Sequence, residues 1–279
     1  MIYALGFGPA EVMVTQYVFA TAALALIVAV FSRRRVPAAT VLKLMGVGVL
    51  AAGASFGYYR ALELLPSVSA VTLMFQFVWM GVVVQAVRER AMPPVTTVVS
   101  VLVIMGGTLL ATGLFDAMTS TNANTTVFSQ LDPLGIMFGL LAAVFYASLI
   151  FASGRVATGL PAINRSLFTT LGSMVTAIAL CPTYLSTPGL PAIVPLGVVL
   201  GVIGILLPMF LITTSSPHLP HGVATIMASS ELPSGIVCAV LVMGDTVTLA
   251  IVVGVVVILA GIVLSQAIDL ASLRKRTAE

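Results

Sequence analysis

Apolar residues in this chain come in long uncharged runs, not in the narrow stripes of a water-soluble helix bundle. No Asp, Glu, Lys or Arg stands between Arg165 and Glu231, a stretch long enough for three bilayer crossings. Further uncharged runs extend from Val12 to Ser32, Leu64 to Val87, Ala91 to Phe115, Pro133 to Gly154 and Thr246 to Ile268. Each matches the roughly 20 apolar residues that cross a ~30 Å hydrocarbon core. With flanking charges and Pro/Gly breaks, the pattern predicts nine complete spans, at about residues 12–31, 41–61, 67–87, 95–114, 133–153, 166–185, 192–213, 221–241 and 247–267. The second span needs the side chains of Lys43 and Arg60 to snorkel to the interfaces.

Composition fits an all-α polytopic membrane protein. Hydrophobic residues make up 59% of the chain and charged residues 8%, with a mean hydropathy of +1.17. The apolar runs are continuous, which excludes the ~10-residue alternating segments of a transmembrane barrel. The net charge is only +3 and the basic residues sit at span ends, so nucleic acid is not an expected partner. Cys181 and Cys238 lie within or at the edge of apolar runs and imply neither a disulfide framework nor a zinc site. No cofactor or metal is expected.

Alternating nine spans places Arg33, Arg34, Arg35, Lys43, Arg88, Arg90, Arg155, Arg165, Arg274, Lys275 and Arg276 on one side and leaves only Arg60 opposite. By the positive-inside rule that side is cytoplasmic, so the tail 268–279 lies inside and the polar loop from Asp116 to Asp132 outside. The loop carries Asn124-Thr125-Thr126, an acceptor pattern best read as a solvated linker between two halves, 1–115 and 133–267. Pro66 opens a span with Gln76 midway that closes at Glu89, and His221 opens one with Glu231 midway that closes at Asp245. Glu89 falls inside and Asp245 outside, so the halves are expected to be inverted repeats.

The chain here resembles the drug/metabolite transporter superfamily, specifically its EamA-type members. Matching residues are Gly57-Tyr58-Tyr59-Arg60-Ala61-Leu62 with Pro66 and Ala70, then Arg88-Glu89-Arg90 and Gly106-Gly107. In the second half they are Glu231-Leu232-Pro233 and Gly244-Asp245, with Gly254 and Gly261. The resemblance implies two inverted repeats of five helices, of which the first helix is missing or truncated here, Gly8-Pro9 resembling the turn after it. Gln16 stands where the family often has arginine, and Asp245 where it usually has glutamate. It further implies a secondary transporter in the plasma membrane, an exporter of a small organic metabolite or drug. The alternative is a non-transporting membrane scaffold or subunit that pairs with another chain.

Glu231 is the sharpest candidate for chemistry. An ionisable group at mid-bilayer costs about 2.5 to 3.5 kcal/mol on insertion scales, so it needs a partner or an aqueous cavity. With Ser230 beside it, it is the expected substrate-binding or proton-coupling group; a carboxyl that only ties two helices is the bland alternative. Gln76 is expected to add an amide to the same cavity and Trp79, the single tryptophan, an aromatic wall. Gln16 and Tyr58 join the list, although glue between helices and an interfacial belt are their simpler readings. Gly53 with Gly57, Gly135 with Gly139 and Gly197 with Gly201 read as packing surfaces. Pro208 and Pro233 mark helix breaks of the kind that line transporter cavities. The sequence holds no His-Glu-x-x-His, no Gly-x-Ser-x-Gly with a histidine partner and no nucleotide-binding loop, so no enzyme is expected.

Overall fold

The computed structural model describes residues 8–32, 35–65, 67–90, 92–111, 132–182, 184, 190–219, 221–238 and 249–276. The described residues are helical and include no strand. In chain order the helices are α1 (Pro9–Phe31), α2 (Ala38–Leu64), α3 (Ser67–Met74), α4 (Phe77–Glu89), α5 (Val95–Ala111), α6 (Pro133–Ser153), α7 (Ala162–Leu180), α8 (Leu190–Val199), α9 (Leu207–Ser215), α10 (His221–Ala228), α11 (Glu231–Cys238) and α12 (Leu249–Arg276). A π-helical segment, Leu200–Leu206, joins α8 to α9.

Five segments among the described residues are long and apolar enough to cross a membrane: Ala10–Phe31, Ala38–Leu64, Ser69–Val87, Pro133–Ser153 and Gly197–His218. Val95–Ala111 and Leu249–Leu264 are shorter apolar helices. Such helices satisfy every interior backbone group within themselves, which hydrocarbon demands. The chain is a multi-pass membrane protein. Helix α12 continues to Arg276, so most of the expected tail is helical. The loop with Asn124-Thr125-Thr126 and the Gly244-Asp245 motif lie outside the described residues.

Two spans expected as single helices are broken. In the first, the Gln76 amide bonds Leu73 O at 3.2 Å, one residue short of the α-helical pattern, and Thr72 O accepts Gln76 Nε2 at 3.0 Å. In the second, Ser229 N and Ser230 N both make short-turn bonds of 3.1 Å, to Ile226 O and Met227 O. Pro233 cannot supply an amide to Ser229 O, and Leu232 N bonds that oxygen at 3.3 Å instead. The proline thus leaves the break two residues upstream of itself. Pro208 follows the π segment, where Leu207 N reaches back five residues to Val202 O.

Small residues set the crossings. Helix α2 packs between α6 and α7, α1 against α7 and the π segment, α4 against α6 and α10, and α5 along α12. Gly48 of α2 touches the backbone of α7 at Thr169, Gly172 and Ser173. Gly201 of the π segment meets α1 in the same way, at Gln16 O, Phe19 and Ala20 N. One interval along the chain separates all four pairs: Gly48 from Gly201, Gln16 from Thr169, Phe19 from Gly172 and Ala20 from Ser173. Gly107 meets Gly254 O and Ile258 N, and Gly254 meets Gly107 O and Ala111 N, which repeats the pattern between α5 and α12. Gly57 abuts Phe138 O, Gly135 abuts Leu65 and Gly139 abuts Leu73, so these glycines are packing surfaces.

Arg165, expected at a span end, is buried because α7 begins at Ala162 and draws it into the bundle. Its guanidinium donates to Thr213 O at 2.7 Å and to Ser153 O. These carbonyls end α9 and α6, where unpaired backbone acceptors favour a cation. At the same end, Ser32 Oγ donates to Asn164 Oδ1 at 2.6 Å and ties α1 to α7.

Candidate functional site

A cavity of about 260 Å3 lies among α1, α2, α3, α6, the π segment and α9, with Glu231 of α11 in its wall. That is just under the usual range for small-molecule pockets, about 300–1,000 Å3. Helix breaks build it. The first presents Val71, Met74 and Phe75 to the cavity, the second presents Glu231 as the first residue of α11, and the π segment with Pro208 presents Gly204, Ile205, Pro208 and Met209. Interruptions of this kind are tolerated at membrane depth where they line a cavity.

The polar groups form two short chains. Tyr146 Oη donates to Glu231 Oε2 at 2.9 Å, and among the described residues no other hydrogen bond to that carboxyl is formed. The Tyr146 ring is held edge-on by Phe77, with centroids 4.8 Å apart and planes at 79°. Phe77 is fully buried and is the first residue of α4. The two half-helices α4 and α11 therefore meet through one tyrosine. In the second chain Tyr17 Oη donates to Ala51 O at 3.1 Å and lies 2.8 Å from Ser55 Oγ. Since the phenol has one proton, Ser55 is the donor in that contact.

Glu231, Gln16 and Tyr58 all line the cavity. Gln76, Trp79 and Ser230 do not lie in its described lining. The Gln76 amide turns back to Thr72 O, its oxygen accepts Trp79 Nε1 at 2.8 Å, and Trp79 is 39% exposed on the outer face. Freeing a carbonyl at the break gave the amide a nearer partner than the cavity. Ser230 sits in the turn, and its carbonyl accepts Ser234 N and Ser234 Oγ. Tyr59, next to Tyr58, is in the wall as well.

Sequence reading missed Tyr17, Ser55 and Tyr146. Tyr146 carried a usable signal, because a phenol deep inside the 133–153 run is out of place for an interfacial aromatic. Tyr59 also lines a second cavity of about 340 Å3, with Arg60, Glu63 and Cys181. Gln16 Nε2 donates to Tyr59 Oη at 3.1 Å, so this pair stands between the two spaces. Arg60 and Glu63 form an ion pair at 2.5 Å in the second. No group of His, Cys, Asp and Glu that could hold a metal occurs among the described residues.

A multi-pass helical protein with broken helices around one small central cavity is built as membrane carriers are built. Residues 133–266 match the EamA-like transporter family, a branch of the drug/metabolite transporter superfamily. Members of that family are transporters, not enzymes. Twenty-eight chains of solved structures match the fold. One, a protein of known crystal structure, superposes with a TM-score of 0.72 at 16% identity over 93% of this chain and 89% of its own. That likeness concerns the fold alone. No curated protein matches the chain in sequence.

Proposed function

We propose that this chain is a secondary transporter that moves a small organic solute across the cytoplasmic membrane, most simply as an exporter, by alternating access between two inverted halves, 1–115 and 133–267. Nine crossings with the tail inside satisfy the charge distribution, since Arg155 and Arg165 then share a side with Arg33, Arg88 and Arg276. The glycine crossings support the inverted repeat. Gly48 on α7 and Gly201 on α1 are the same contact made by two halves with their roles exchanged. Such a pair allows the bundle to rock between two arrangements of similar energy.

The single observation that carries the reading is the pair of helices broken at corresponding points, meeting through Phe77, Tyr146 and Glu231 beside the cavity. A carboxyl whose described partner is one phenol, in a wall without Lys, Arg or His among its described residues, is suited to exchange a proton. Proton uptake at Glu231 would weaken its hold on solute and couple the two movements. The Gln16–Tyr59 bond would be part of one gate, and the Arg165 cluster would help close the opposite end.

The test is flux in proteoliposomes carrying the full chain, with and without an imposed proton gradient. We expect gradient-driven flux that Glu231→Gln abolishes while the protein remains folded and abundant. Gradient-driven flux unchanged in the Gln variant would remove Glu231 from coupling, and no flux of any solute over a broad panel would defeat the transport reading.

A further inference from the structure

We infer that the cavity selects organic monocations, namely small amines with an apolar or aromatic body, over anions, zwitterions and neutral analogues; this rests on the transport reading above. Three hydroxyl protons of the wall are already committed. Tyr146 spends its proton on Glu231, Tyr17 spends its proton on Ala51 O, and Ser55 spends its proton on Tyr17. What these groups leave open to a ligand is acceptor capacity: the remaining lone pairs of the Glu231 carboxylate and the hydroxyl oxygens. An ammonium brings three N–H donors and no acceptor, which complements that surface.

Charge points the same way. No Lys, Arg or His stands among the described lining residues, so a solute carboxylate would face Glu231 with nothing of opposite sign nearby. A desolvated charge without a partner is costly, whereas an ammonium supplies the opposite charge that Glu231 lacks among the described lining residues. Tyr146 stands at the carboxyl and Tyr17 and Phe75 add aromatic rings to the same lining, and aromatic faces attract a cation within about 6 Å. Ile205, Pro208, Met209 and Ile212 add apolar lining for the solute's body. A volume of about 260 Å3 limits that body to a small ring or a short chain.

The test uses four probes that share one phenyl-and-two-carbon body and differ in charge: 2-phenylethylamine, 3-phenylpropionate, 2-phenylethanol and phenylalanine. Equilibrium binding of each is measured on the full chain in lipid nanodiscs at neutral pH, where the amine is protonated. We expect the amine to bind at least about tenfold more tightly than each of the others, as charge-assisted hydrogen bonds exceed neutral ones. Glu231→Gln should reduce amine binding to within about threefold of the alcohol. Equal or tighter binding of the propionate, the alcohol or phenylalanine would overturn the inference, as would binding of none of them or a preference that survives in a folded Gln variant. The ranking is read on the unsubstituted chain, so a variant that fails to fold does not remove the test. Counterflow of the same probes keeps the two readings apart. Amine that binds without being carried leaves the selectivity standing and defeats transport, and propionate carried in place of amine does the reverse.

Discussion

Two helices of this protein break at corresponding points, yet only one delivers its polar side chain to the cavity. At the first break Gln76 folds back onto Thr72 O and Trp79, and at the second Glu231 lies in the cavity wall under Tyr146. The difference follows from what each side chain can do for a broken helix. A glutamine carries an N–H donor and can serve the carbonyl that the break exposes, whereas a carboxylate has none to offer. Glu231 must find a donor elsewhere, and Tyr146 of α6 is in reach. Two similar helix breaks thus give one chemical pole. The lining differs in the same sense, with Gln16, Tyr17, Ser55 and Tyr58 contributed by α1 and α2, and Ile205, Pro208 and Met209 by the second half of the chain.

The largest expected effect tests whether the backbone symmetry is real. A Cβ on Gly48 would meet the α7 backbone, and one on Gly201 would meet the α1 backbone at 2.8 Å from Gln16 O. Backbone cannot give way as a side-chain tip can, so Gly48→Val and Gly201→Val should each cost about 3 kcal/mol or more. Both should abolish monodisperse protein in detergent chromatography. Loss in one and normal yield in the other would show that the two crossings are not equivalent.

Next in size is an exchange of the two polar groups. The double variant Gln76→Glu, Glu231→Gln moves the carboxyl to the other break without changing composition. Because position 76 turns away from the cavity, gradient-driven flux should stay at background. Recovery to more than about a tenth of wild-type flux would make the two breaks chemically interchangeable and dissolve the contrast drawn above. Tyr146→Phe is the milder cut. It keeps the ring against Phe77 but removes the donor to Glu231, and a hydrogen bond to a charged group is worth about 1.5–3 kcal/mol. Solute affinity should change about tenfold, with the folded yield close to wild type; an unchanged affinity would detach Tyr146 from the site.

Much of this was legible in the sequence because lipid enforces a simple rule, that a span must be uniformly apolar. The helix at Pro133–Ser153 coincides with its apolar run, and the Asp132 cap, which accepts Leu134 N at 2.8 Å, marks its start. Glu231 stood out for the same reason, as the one charge midway along a predicted span. The breaks were harder to read. Pro233 announces one from two residues away, but Phe75-Gln76 contains neither Pro nor Gly, and its short turn depends on a side chain serving the backbone. Arg165 misled because its acceptors, Ser153 O and Thr213 O, are carbonyls that no residue code reveals. Tyr17 and Ser55 were invisible for a related reason, since their partnership joins α1 to α2 across a packing interface.

The smallest effect, and the one that most sharpens the comparison, belongs to Gln76. Gln76→Leu keeps the bulk of the side chain but removes the amide donor from Thr72 O and the acceptor from Trp79 Nε1. A neutral hydrogen bond contributes about 1 kcal/mol net, so the helix break should loosen by one to two such amounts. Thermal unfolding in lipid nanodiscs should move down by a few degrees, while flux at saturating solute stays within about twofold of wild type. Gln76→Glu separates the two bonds, because a carboxylate still accepts from Trp79 but has no proton for Thr72 O. If the bond to Thr72 holds the break together, Gln76→Glu should be at least as destabilised as Gln76→Leu; if the bond to Trp79 does, it should recover most of the loss. A flux loss beyond about tenfold at unchanged thermal stability, in either variant, would put Gln76 on the solute path and make both half-helices chemically active.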